Sequence, residues 1–354
     1  MPPPEFSRRE LLRVALAGLL ASPFVGRTAG TPVRPRTLLE LIDDPLLREQ
    51  LYGSPAFKTL PIAANGAVGV NARWEAGQAP QWFIESQRIA GDLAQAGLGR
   101  PDAGLLQPVA PIMHWSFAKQ AEDGSFPGST DPFHSTEIFV ADIGRALLLL
   151  RQTGRAEHRA VVDEFAAKLE RAALWMTKPV VLAAGEKRNL PYTHRHYILA
   201  AALGLTAELT FNRRLADAAV ASAAKGLARQ TAEGINPEKD GFDVNYQSAG
   251  MLFAARYFPS CADASLQQRL REMIARGARW LAARVDATGE LDADGSTRVN
   301  GQEHLRSGKI KGVNYMEMVQ MFAHAARLTG ESGFAATARR LAQRHAPIGP
   351  DQLI

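Results

Sequence analysis

The stretch Ile138-Phe-Val-Ala-Asp-Ile-Gly-Arg-Ala-Leu-Leu-Leu-Leu150 decides the fold, together with what comes after it. It is apolar almost all round, and a helix without a polar face belongs inside protein. After a short break, Val162, Phe165, Leu169 and Ala173 recur at spacings of three and four, with charged residues between them. That spacing marks one face of a half-buried helix. A buried helix followed by a half-buried one is the unit.

The unit repeats. Residues 198–209, 250–257 and 316–328 are further apolar runs. Leu215, Ala219, Ser222 and Leu227 form a second stripe, and Leu266, Leu270, Met273, Gly277 and Leu281 a third. Turn signals separate the pairs: Gln120-Ala-Glu-Asp-Gly-Ser-Phe-Pro, Lys178-Pro179 through Gly185, Gln230-Thr-Ala-Glu-Gly-Ile-Asn-Pro and Val285-Asp-Ala-Thr-Gly. Gln120 and Gln230 are 110 residues apart and Val285 follows 55 later, so the period is near 55, as in helical repeat arrays. Residues 82–97 and 102–119 supply one more pair. Alternate burial requires an inner and an outer ring. The arrangement resembles an all-α (α/α) toroid, an incomplete barrel of about five helical hairpins over roughly 81–346.

Ahead of the toroid, residues 31–80 read as an N-terminal arm. Thr37 is placed to cap a helix with Leu38, Leu41 and Ile42 on one face, and 53–80 reads as irregular. Residues 347–354 form a short tail. The first thirty residues read as a leader: Ser7-Arg8-Arg9-Glu10-Leu11-Leu12-Arg13 is similar to a twin-arginine export signal, and the apolar run 14–25 follows at once. That run, broken by Pro23, is too short for a stable membrane span. The reading predicts export to the periplasm or beyond, the twin-arginine translocase as a transient partner, and cleavage near Ala29-Gly30.

Charged residues make up 22% and hydrophobic ones 46%, the balance of a folded domain with a real core. With the four arginines and two glutamates of 1–30 set aside, 37 basic and 34 acidic residues remain, a net +3. So mild an excess argues against nucleic acid as a partner. One cysteine, Cys261, excludes an intramolecular disulfide and any multi-cysteine metal site.

The starts of the inner helices are unusually polar: Asp131-Pro-Phe-His134-Ser-Thr-Glu137, Tyr192-Thr-His194-Arg195-His196-Tyr197, Asp243-Val-Asn245-Tyr246-Gln247-Ser248 and Asn314-Tyr315-Met-Glu317. Asp243, Ser135 and Thr193 have the side chains of helix caps. In a toroid these starts gather at one end, where free backbone N–H groups favour a polar or anionic ligand. His194 and His196, two apart on a helix, diverge by roughly 200°, so no metal is expected there, and no cofactor motif is present. Glu290-Leu-Asp292-Ala-Asp294-Gly295 imitates a calcium loop but has Gly301 at its twelfth position, which points to a solvated turn.

With its export signal, Gln-x-x-Asp-Gly turn and His/Tyr/Asn cluster, the chain resembles polysaccharide lyases of the alginate-lyase type and, more loosely, unsaturated-uronide hydrolases. Where those lyases carry Asn-Asn-His before a helix, this chain has Thr193-His194-Arg195-His196. The resemblance implies an acidic polysaccharide or oligosaccharide substrate cleaved by β-elimination. Asn245, Arg195 or a histidine would neutralise the uronate carboxylate, and Tyr246 with His194 or His196 would serve as base and acid. Trp82, His134, Glu137, Tyr192, Asp243, Gln247, Tyr315 and Glu317 would bind the sugar. Glu137, Asp243 and Glu317 would equally suit a glycoside hydrolase, which needs carboxyl groups flanking the bond. A glycan-binding envelope protein without turnover is the third reading.

Overall fold

Asp131 accepts a hydrogen bond from the His134 backbone N–H and Pro132 sets the first turn, so the helix begins where the sequence turns apolar. The computed structural model describes residues 35–101, 104–128, 131–305 and 308–350. Its helices are α1 (Leu38–Ile42), α2 (Pro45–Gln50), α3 (Val70–Glu75), α4 (Ile89–Gly99), α5 (Val109–Ala118), α6 (Pro132–Gln152) and α7 (Ala156–Met176). They continue with α8 (Pro179–Asn189), α9 (Thr193–Thr210), α10 (Arg213–Leu227), α11 (Val244–Tyr257), α12 (Ala264–Ala282), α13 (Tyr315–Thr329) and α14 (Ser332–Arg344). Among the described residues extended pairing is limited to isolated bridges. The leader reading falls outside the described residues.

Helices α4, α6, α9, α11 and α13 pack side by side as an inner ring, and α5, α7, α10, α12 and α14 form the outer ring. The fold is an all-α (α/α) toroid of five hairpins. Val162, Phe165, Leu169 and Ala173 of α7 are all buried, as are Leu266, Leu270, Met273 and Leu281 of α12. Among the described residues no helix is long and apolar enough to cross a membrane.

The stretch before residue 81 is more ordered than its composition suggested. Thr37 caps α1 through the Glu40 N–H, and Leu38, Leu41, Ile42, Leu46 and Leu47 are buried. Helices α1 and α2 lie at the C-terminal ends of the inner helices, where Arg327 donates to the Glu40 and Asp43 carbonyls at 2.8 and 3.1 Å. Residues 53–80 hold a 3₁₀ turn (Pro55–Thr59) and α3. Two buried amides tie that stretch to the toroid: Gln87 accepts from the Val68 N–H at 2.7 Å, and Asn71 accepts from the Phe83 N–H at 2.7 Å. Side-chain hydrogen bonding, which carries no periodic signal, orders this segment.

The repeat has a physical signature. After α5, α10 and α12 the chain makes the same tight turn at 121–125, 231–235 and 286–290, each closed by backbone hydrogen bonds. In the second, Gly234 has φ +96°, and a Cβ there would stand 2.7 Å from the Arg276 carbonyl oxygen of α12. Gly124 meets the Arg171 carbonyl of α7 in the same way, and Gly289 that of Arg340 in α14. Each turn therefore wedges against the next outer helix. Gly234→Ala should destabilise the fold by about 2 kcal/mol or more, read as a lowered urea midpoint with an unchanged slope. After α7 the turn is absent and α8 takes its place, which explains why Gln120 and Gln230 lie two periods apart.

The ring interior is not purely apolar. Arg145 of α6, fully buried, donates to Asp142 and Asp92 at 2.7 and 2.8 Å and to Gln95. Arg256 of α11 reaches Asp142 at 3.1 Å and Gln320 of α13 at 3.1 Å. Gln95 of α4 donates to Gln320 at 3.0 Å, joining the first and last inner helices. Burial works to raise the Asp92 carboxyl, but Arg145 and Arg256 hold it below its ordinary value.

Candidate active site

At the N-terminal end of the inner helices a cavity of about 300 Å³ opens. His134, His194, Arg195, Asn245, Tyr246 and Glu317 line it, contributed by α6, α9, α11 and α13. Those are six of the thirteen residues that the sequence offered for the site. Arg88 enters from the 3₁₀ turn before α4, and Arg298, His304 and Lys311 come from the loop between α12 and α13.

His134 and His194 each rest on a buried carboxyl group. His194 Nδ1 lies 2.8 Å from Glu238 Oε2, and His134 Nδ1 lies 2.7 Å from Glu137 Oε1. With Nδ1 engaged, Nε2 is the nitrogen left for a ligand. The rings are nearly perpendicular, with centroids 6.5 Å apart. Burial foremost, and then neighbouring arginines, holds both imidazoles well below their ordinary pKa, so both are neutral.

The two carboxyl groups have different neighbours. Arg298 donates to Glu238 Oε1 at 2.8 Å and to Glu303, which Lys311 also binds at 2.9 Å. Burial nevertheless pushes Glu238 up to about 7, against the pull of Arg298. Among the described residues Glu137 has no ion pair with Arg or Lys. Its other partner is the Asn189 amide, at 3.2 and 3.3 Å from its two oxygens. Burial pushes its carboxyl well above the usual range.

Tyr246 is sandwiched: its ring centroid lies 4.4 Å from that of His194, and the Arg298 guanidinium carbon sits 3.8 Å from it on the cation–π side. Asn245 turns its oxygen to the Asn314 N–H at 2.7 Å. Arg195 bonds Asn189 at 2.9 Å and Asp131 at 3.2 Å. Among the described residues no group hydrogen-bonds the Arg88 guanidinium. Glu317 opens into the same cavity, and burial raises its carboxyl despite the opposing fields of Arg88 and Arg256.

The remaining seven lie elsewhere, each for a visible reason. His196 faces the outer ring, where its carbonyl accepts from Ser222 at 2.8 Å, because two helical steps from His194 turn it away. Asp243 caps α11 and accepts the Arg298 and Val299 N–H groups at 2.9 and 3.0 Å. Gln247 binds the Asn236 N–H and the Gly234 carbonyl, at 2.8 and 2.9 Å, and so anchors the wedge turn. Tyr315 stacks on His345 at 3.5 Å on a separate surface. Trp82 packs edge-on against Trp115, with centroids 6.0 Å apart. Tyr192 backs the site beneath Arg195 and Arg298, their guanidinium carbons 4.4 and 5.0 Å from its ring. Glu137 stands behind His134, not against the cavity. Among the described residues no group of three or more His, Cys, Asp or Glu side chains is arranged to hold a metal ion.

No family model matches the chain, and no curated protein matches it. A solved structure does. It is a sugar epimerase from a ruminal bacterium, with a TM-score of 0.54 and 13% sequence identity, covering 84% of this chain and 85% of that one. At that identity the likeness concerns the fold.

Proposed function

We propose that the chain is a sugar-processing enzyme that moves a proton on the carbon next to a carbonyl group, as in epimerisation or isomerisation. The observation that carries this reading is the pair of neutral, carboxyl-backed histidines across one cavity. A carbon shared by two such bases stands roughly 3–3.5 Å from each reacting nitrogen, and both rings line the same cavity, their planes nearly perpendicular. His194 takes the proton, the electron pair moves into the carbonyl, and Arg88 faces the oxygen that gains charge. His134 returns a proton to the other face. The fold shared with a sugar epimerase supports a sugar as substrate.

Apart from Arg88, the cavity's cations are already paired, which favours a neutral sugar. Arg195 is paired with Asp131, Arg298 with Glu238 and Glu303, and Lys311 with Glu303. Elimination from a uronate is the second reading, favoured by Tyr246 beside His194, where a phenol can protonate a leaving oxygen. Incubation in D₂O with neutral sugars and with uronate oligomers separates the two. Deuterium at the carbon next to the carbonyl supports proton transfer, and a new ultraviolet-absorbing double bond supports elimination.

Glu238 sets a pH limb. Below about pH 7 it gains a proton and can donate it to His194 Nδ1, leaving the remaining ring proton on Nε2, where it blocks the base. kcat/KM should therefore fall as pH drops through that range. Arg298 lowers the Glu238 pKa, so Arg298→Gln should move the limb to higher pH; an unmoved limb would sink the assignment.

We also propose that the chain is exported through the twin-arginine route. Replacing Arg8 and Arg9 with lysine should abolish periplasmic recovery in cell fractionation without lowering the total amount made.

A further inference from the structure

Two histidines can serve opposite faces of one carbon only if one arrives without a proton on Nε2 and the other with one. The surroundings of their carboxyl partners differ in just this respect. Glu238 is ion-paired to Arg298 at 2.8 Å. A carboxylate beside a guanidinium accepts hydrogen bonds, so it takes the Nδ1–H of His194 and leaves Nε2 bare.

Glu137 is fully buried, and among the described residues no arginine or lysine lies within ion-pair distance of it. The groups facing it are His134 on its own helix, Asn189 at the end of α8, and Arg195 on α9 with its partner Asp131. Arg195 is the cation whose field acts on it, and its bonds go to Asn189 and Asp131. A guanidinium can only donate, so it fixes the Asn189 oxygen toward itself and turns the amide N–H toward Glu137. A neutral donor is the whole of Glu137's fixed support, and a buried carboxyl group so placed keeps its proton.

We propose that the two pairs rest in opposite protonation states: Glu238 as a carboxylate that makes His194 the base, and Glu137 as a carboxylic acid that makes His134 the proton donor. This rests on the proton-transfer reading above and adds its direction. Glu137–OH donates to His134 Nδ1, so the ring's own proton sits on Nε2, toward the cavity. In turnover His194 Nε2 forms a bond to the substrate proton. His134 Nε2–H breaks toward the other face, and Glu137 passes its proton to Nδ1. One proton leaves the His134 pair and one joins the His194 pair, so the count closes. Glu137 becomes a buried proton store and Asn189 a positioning residue, delivered by the helix that interrupts the repeat.

The test needs no substrate. Nitrogen-15 NMR of the labelled protein near pH 8, with His134→Gln and His194→Gln spectra for assignment, reads each ring's tautomer. The expected result is His194 protonated on Nδ1 and His134 on Nε2. The same tautomer on both rings overturns the proposal, even if the enzyme epimerises sugars. Asn189→Asp, isosteric but unable to donate, should leave the His134 tautomer in place and shift its titration to higher pH. Failure of the function with opposite tautomers intact would condemn the activity reading instead.

Discussion

His194→Asn should reduce turnover of a sugar substrate by about 10³-fold, within the range for loss of a positioned base, while leaving the thermal unfolding midpoint nearly unchanged. Asparagine keeps a polar group facing Glu238 and removes the nitrogen that reaches the substrate. His134→Asn should cost turnover similarly, but the two variants part company in D₂O. With His194 intact, the substrate proton still leaves and washes out into solvent, so His134→Asn exchanges hydrogen without releasing epimer. His194→Asn does neither. Equal washout in both variants would refute the division of labour, and full activity in either would remove that histidine from the chemistry.

The helix starts were legible because their physics is local. A cap, a proline at the first turn and an apolar run announce where an inner helix begins, and the toroid brings those starts together. His134, His194, Asn245, Tyr246 and Glu317 follow from that alone. What the pattern does not carry is rotation about the helix axis at its first turn. Tyr315 and Glu317 are two residues apart, yet one stacks outward on His345 and the other opens into the cavity. His196 and His194 part in the same way.

Arg88, Glu238 and Arg298 escaped because they sit on a 3₁₀ turn and on loops, where no period exists. Glu238 was nonetheless within reach, directly after the Ile-Asn-Pro that ends the second wedge turn. Asp142 and Arg145 were hidden differently. They lie three apart within the run of 138–150, on one helix face, and a stretch judged by its apolar majority absorbs two charges without trace. Two opposite charges at that spacing inside an otherwise unbroken apolar run point to a polar seam within the ring.

That seam makes Arg145→Met the most damaging core change in prospect. Methionine fills most of the arginine's volume, so the loss is electrostatic and not a cavity. Asp92, largely buried, and Asp142, more deeply so, would be left with Arg256 alone, at 3.5 and 3.1 Å. Breaking a buried charge cluster by removing one partner costs about 3–5 kcal/mol, because the charge left behind is uncompensated. Gln95 would lose the donor to its oxygen as well, and with it part of the bridge to Gln320 that closes the ring. Replacing Arg145 and Asp142 together, by methionine and leucine, should cost less than the single change, since a matched pair of charges leaves the interior at once. Urea unfolding of both variants decides the matter: a single-variant loss below about 1 kcal/mol would mean that water, and not Arg145, neutralises the seam. The consequence extends to the cavity. Asp92 and Asp142 already act to raise the Glu317 carboxyl, and Arg256 opposes them. Without Arg145 the unbalanced field of the two aspartates should push Glu317 further toward its protonated form, so that a change deep in the ring registers at the mouth of the site.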